Sequence, residues 1–143
     1  MKIFLDTNVL LDIFMRREPY YDASAQVVYA CERGQFTGGF TTLSACNIVY
    51  ALRKQLGGDQ TIKAIRQLVR IIEPIGTSVS SLLQSLEDPK TDFEDAVQSQ
   101  CALEWNADAI ITRDKSGFAN SAIPVLTPLM GTKVKGKSRA ISS

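Results

Sequence analysis

Two short apolar, β-branched runs in this chain each close on a polar segment containing aspartate. Ile3-Phe4-Leu5 leads into Asp6-Thr7-Asn8, and Ala109-Ile110-Ile111 leads into Thr112-Arg113-Asp114. Runs of this kind read as buried strands. Side by side in one parallel sheet, with helices between them, they would bring both carboxylates to the carboxyl edge, where open α/β sheets bind ligands. A helical segment beginning near Asp92-Phe93-Glu94-Asp95 adds further acids. Carboxylates gathered from distant parts of a chain suggest a divalent cation.

The spacing between these runs supports an α/β class. Leu10 to Arg17 is expected as a short helix ended by Glu18-Pro19, and Tyr21 to Arg33 as a second, stopped by Gly34. Phe36 to Thr41 reads as a strand. Ala45, Ile48, Val49 and Leu52 form a helical stripe, Gly57-Gly58 interrupts it, and Ile62, Ile65, Leu68, Val69 and Ile72 form the next. A short strand is expected within Ile71 to Ile75, a helix over Ser78 to Glu87, a break at Asp88-Pro89, and a helix from Asp92 to Trp105. Ile123 to Leu126 reads as a final strand, with the tail starting at Thr127-Pro128. Alternating strands and helices favour a parallel sheet.

The length of 143 residues suits one compact domain, taken here as 1–130, followed by a basic tail over 131–143. No run approaches the roughly 18 apolar residues of a membrane-spanning helix. The N-terminus enters a strand pattern directly, which is unlike a signal peptide, so a cytoplasmic protein with no membrane partner is expected. The tail carries Lys133, Lys135, Lys137 and Arg139 without an acid; of 16 basic residues, the other 12 face 15 acidic ones in the preceding body. Those four cations fit a solvated tail or a phosphate-contacting arm.

Side-chain inventory excludes several chemistries. There is no histidine, hence no Ser-His-Asp or Cys-His pair. Cys31, Cys46 and Cys101 are odd in number and widely spaced, unlike a disulfide framework or a zinc site, and each is expected to be buried. Any enzyme chemistry here rests on carboxylates, lysine, hydroxyls or metal.

Each acid also has a plainer reading. Asp6 and Asp114 could be turn residues. Asp92, Glu94 and Asp95 could offset the dipole at a helix start, and Thr91-x-x-Glu94 fits a capping box. If Asp6, Asp95 and Asp114 converged within about 5 Å, each pair would repel by about 3 kcal/mol at an effective dielectric near 20. Such a site calls for a cation or a bound proton. Oxygen donors without His or Cys favour Mg²⁺ or Mn²⁺ over zinc.

Taken in order, MKIFLDTNVLLDIF, TTLSACNIVYALRK, DFEDAVQSQCALEWNADAIITRDKSGF and IPVLTP resemble a PIN domain, most closely the bacterial toxin-type (VapC-like) branch, over residues 1 to about 128. The resemblance implies a three-layer α/β/α sandwich around a short parallel sheet and Mg²⁺- or Mn²⁺-dependent ribonuclease activity. It also implies a homodimer and a small antitoxin as partner. It places the family's acids on Asp6, Asp95 and Asp114, with Asp92 as a supplementary ligand and Thr112 as a supporting hydroxyl. Thr7 and Asn8 are expected to hold Asp6 in place. Arg113, Lys115 and Lys54 are candidate contacts for RNA phosphates. One position departs from the pattern: where the family carries an acid in its third helix, this chain has Asn47. An amide brings no negative charge, so weaker metal affinity is expected.

Two functional classes follow. One is a metal-dependent endoribonuclease, the toxin of a toxin–antitoxin pair. The other is a catalytically weak or inactive PIN-fold protein that binds RNA or a protein partner. A phosphotransferase of the haloacid-dehalogenase type would need a second Asp where Asn8 stands, and no phosphate-binding glycine loop of the P-loop type is present.

Overall fold

The computed structural model of this chain describes residues 1–87 and 92–133. The first apolar run forms β1 (Lys2–Leu5), the central strand of a five-stranded sheet. Its neighbours are β2 (Thr37–Thr41) and β4 (Ala109–Ile111), with β3 (Glu73–Ile75) and β5 (Val125–Leu126) at the edges. Every pairing is parallel, and the order is β3-β2-β1-β4-β5. Phe4 pairs with Ile110 and Leu5 with Ile111, so the two aspartate-bearing runs are adjacent.

Successive side chains on a strand point to opposite faces. Ile3 and Leu5 join one core cluster with Val9, Leu10, Val27, Ala30, Ile48 and Leu52. Those partners come from α1 (Thr7–Phe14), α2 (Tyr21–Glu32) and α3 (Thr42–Leu68). Phe4 and Ile110 join the other cluster with Val97, Cys101, Ala102 and Phe118. That face is covered by α5 (Phe93–Glu104) and a 3-10 turn over Lys115–Phe118, with α4 (Val79–Ser85) packed on α5. The three-layer sandwich is therefore present, and coverage of both faces is why the strands read as unbroken apolar runs.

Local signals explain most boundaries. Gly34 has φ +78 and ends α2, as a helix stop requires. Gly57 has φ 76 and ψ 168, so the long α3 is two helical stretches meeting at a break, as the Gly57-Gly58 pair predicts. Thr41 caps α3 by accepting from the Ser44 N–H.

Three expectations need correction. The first helix starts at Thr7, because Asp6 takes the cap position straight after β1. Cys31 and Cys101 are buried, but Cys46 lies on an outward face of α3 and is exposed. The chain does not become a tail at Thr127-Pro128: residues 128–133 are helical. The Thr127 hydroxyl accepts from the Met130 N–H, Pro128 is tolerated in a first helical turn, and Gly131 is buried close to Ile111 and Val27. Asp88-Pro89, Thr91 of the expected capping box, and the tail from 134 onward fall outside the described residues. Among the described residues, no helix is long and apolar enough to cross a membrane.

Candidate active site

In this strand order the chain leaves β1 in one direction across the sheet and resumes at β4 on the other side. The crevice above the β1 and β4 carboxyl ends is a topological switch point, where α/β sheets bind ligands. Asp6 stands at the end of β1 and is only 5 % exposed. Although it occupies the cap position of α1, its side chain makes no capping bond, which argues against simple turn chemistry. Instead Oδ2 accepts from the Thr112 hydroxyl at 2.9 Å, tying the end of β1 to the end of β4. Burial pushes its carboxyl up, Thr112 and the Thr7 N–H pull it down, and Glu94 raises it further.

Asp95, in the first turn of α5, is pushed up to about 7, first by burial and then by the negative charges of Asp6, Asp92, Glu94 and Asp114. The 3-10 turn comes close above it: a Cβ added at Gly117 would collide with the Asp95 carboxylate. Asp114 begins that turn and is exposed. Its Oδ1 accepts from the Ser116 N–H at 3.1 Å and the Ser116 hydroxyl at 2.5 Å, which hold the carboxyl below its ordinary range. Asp92 is exposed and is the cap of α5, accepting from the Asp95 N–H at 3.2 Å.

Behind these acids runs a line of neutral polar groups. The Ser44 hydroxyl sits 2.5 Å from that of Thr7, and Gln98 Nε2 donates to Thr7 Oγ1 at 3.3 Å and to Glu94 Oε1 at 3.4 Å. Asn47 Nδ2 donates to the same Glu94 oxygen at 2.8 Å. Asn8 is exposed and, among the described residues, bonds to none of these groups.

The candidate phosphate contacts differ in freedom. Arg113 Nε lies 2.8 Å from Oδ2 of the fully buried Asp12, and its guanidinium stacks 4.4 Å from the Tyr20 ring centre. The Asp12 oxygens and Arg113 Nε miss hydrogen-bond alignment despite that distance, so the pairing is mainly Coulombic. With Tyr20, Pro128 and Leu129, Arg113 also lines a cleft of about 400 Å³, whose lining includes none of Asp6, Glu94, Asp95 and Asp114. Lys115 is exposed next to Asp114, and Lys54 is exposed two helical turns beyond Asn47, 5.5 Å from the Tyr50 ring centre.

Residues 2–116 match the protein family described as the PIN domain. The chain belongs to that family. It is 29% identical over 131 residues to Ribonuclease VapC1 of Aquifex aeolicus (strain VF5), covering 88% of this chain and 90% of the relative. Among solved structures it resembles a toxin-antitoxin complex from Klebsiella pneumoniae, with TM-score 0.66, 22% identity, and coverage of 88% of this chain and 97% of that one. It also resembles VapC20 of Mycobacterium tuberculosis, a Sarcin-Ricin loop cleaving toxin, with TM-score 0.65, 12% identity, and coverage of 82% and 94%.

For a PIN domain the donor chemistry fits a hard divalent cation. Asp6, Glu94, Asp95 and Asp114 offer only oxygen, and their charges reinforce one another at Asp95. A preformed cage is absent: among the described residues no three acidic or thiol groups converge tightly enough to hold a metal. An ion would therefore reach part of this set through water, as Mg²⁺ commonly does.

Glu94, Gln98 and Ser44 are the residues that sequence reasoning did not assign. Gln98 carried a signal. It follows Glu94 by four residues, one helical turn, and is a polar side chain on the buried face formed by Val97, Cys101 and Ala102.

Proposed function

We propose that this PIN domain is a divalent-metal-dependent endoribonuclease, the toxin of a toxin–antitoxin pair. The observation that carries the reading is the buried Asp6 carboxylate at the end of β1, tied to Thr112 at the end of β4, with the charges of Asp6, Asp92, Glu94 and Asp114 all raising the Asp95 carboxyl. Family membership and the likeness to a named ribonuclease support it. Asp6, Asp95 and Asp114 would hold Mg²⁺ or Mn²⁺, with Asp92 reaching the ion through water. When bound, the ion lowers the pKa of water and stabilises charge on a phosphodiester.

The chain's own groups orient that chemistry. Thr112 fixes Asp6 Oδ2, the Thr7 N–H bonds the same carboxyl, and Asn47 holds Glu94, whereas the exposed Asn8 takes no part. Arg113, Lys115 and Lys54 would contact RNA phosphates, Arg113 in an orientation already held by Asp12 and Tyr20. A small antitoxin is the proposed protein partner, in line with the toxin-antitoxin complex among the structural neighbours, and a homodimer is the proposed assembly.

The test is cleavage of single-stranded RNA with Mg²⁺ or Mn²⁺. The wild-type chain should cut it, and Asp6→Asn should lower the rate on the order of 100-fold. Equal rates would reject the assignment.

A second reading, a weak or inactive PIN-fold binding protein, is favoured by Asn47 and by the lack of a converged acidic triad among the described residues. Calorimetry with Mn²⁺ separates the two: micromolar binding supports the nuclease, and millimolar binding with intact RNA supports the binding protein.

A further inference from the structure

Acids in the first turn of a helix ordinarily face water and oppose the dipole without a fixed partner. Glu94 does not fit that description. It is half-buried, and its Oε1 accepts from Asn47 Nδ2 at 2.8 Å, a residue 47 positions away on α3. Gln98, one turn further along α5, adds a second amide on the same oxygen at 3.4 Å. Both amides sit on Oε1, so Oε2 accepts from neither. Through Gln98 the arrangement continues to Thr7, the residue after Asp6.

We infer that Glu94 is the fourth carboxylate of the cation site, carried by α5 and held in place by Asn47 of α3. The inference rests on the reading of this crevice as a divalent-metal site.

Two further observations agree with it. The charge of Glu94 reaches both Asp6 and Asp95, which places it inside the same electrostatic neighbourhood. Gln98 is 1% exposed and its Oε1 has no hydrogen-bond partner, although its Nε2 is anchored to Thr7 and Glu94. A buried carbonyl without a donor is costly, and a water is the usual remedy. The water shell of a cation held by Glu94 supplies one. Asn47 brings no charge to α3, but it orients a charge that α5 provides.

Calorimetric titration of the full chain with Mn²⁺ tests this, using wild type, Asp6→Asn, Glu94→Gln, Asn47→Ala, the double variant Glu94→Gln/Asn47→Ala, and the exchange Asn47→Glu/Glu94→Gln. Glu94→Gln should weaken binding at least ~10-fold, and Asn47→Ala should weaken it by less. Adding Asn47→Ala to Glu94→Gln should cost nothing more, because the residue it positions is gone. The exchange keeps one amide and one carboxylate in the pair and should bind within ~3-fold of wild type. It also reads out if Glu94→Gln alone fails to fold.

Wild-type affinity in Glu94→Gln, with binding lost in Asp6→Asn, would overturn the role of Glu94 and leave the metal site standing. Additive losses from Glu94 and Asn47 would overturn the positioning role. No Mn²⁺ binding by wild type would overturn both this inference and the reading beneath it.

Discussion

At Asp95, burial and like charge act in the same direction, and both favour the protonated acid in the metal-free protein. A carboxyl raised from 3.8 to about 7 on folding is neutral in both states at low pH. The stability it permits there is lost as pH rises from about 4 through about 7, where the unfolded chain ionises first. Asp95→Asn should remove that loss. In metal-free thermal melts the variant should gain about 1–2 kcal/mol on wild type between pH 4 and pH 8, a value discounted for the partial exposure of the group. Parallel pH profiles for the two proteins would contradict the stated cause. Asp6 and Asp114 were legible because each closes an apolar run. Glu94 was not, because its defining partner, Asn47, lies on another helix and only folding brings the two together.

Among the elements, the 3-10 turn Lys115–Phe118 has the least freedom toward the site. Phe118 anchors it in the core, Asp114 caps it through Ser116, and Gly117 is pressed against the Asp95 carboxylate. Gly117→Ala must move the far end of that side chain and not the backbone. It should therefore weaken Mn²⁺ binding several-fold in calorimetry, while denaturant unfolding stays within about 0.5 kcal/mol of wild type. A large loss of stability with unchanged binding would show that the collision is absorbed elsewhere. The glycine breaks were readable in sequence, since Gly34 and Gly57 adopt the positive φ that other residues avoid. The helix at 128–133 was not, because it depends on a Thr127 cap and on close packing of Gly131 against Ile111 and Val27.

Across the whole molecule, Arg113 links the segment after β4 to α1 through Asp12, which is fully buried and also faces Arg17 at 3.6 Å. Removing one partner of such a pair leaves a charge in the core, so Arg113→Ala should destabilise the fold by about 3 kcal/mol in denaturant unfolding. A change near zero would mean that Arg17 alone satisfies Asp12. The sequence by itself determined the alternation of strands and helices, the two aspartate-ended strand runs, and a chemistry without imidazole. Those properties are written in apolar periodicity, helix breakers and composition, which act locally. The tertiary structure decided which acids share a crevice, that Asp92 and Asp114 are also engaged in capping, and that Asn47 holds a carboxylate on α5. Burial, through-space charge and amide-to-carboxylate bonds depend on distances between elements, and no stretch of sequence contains those distances.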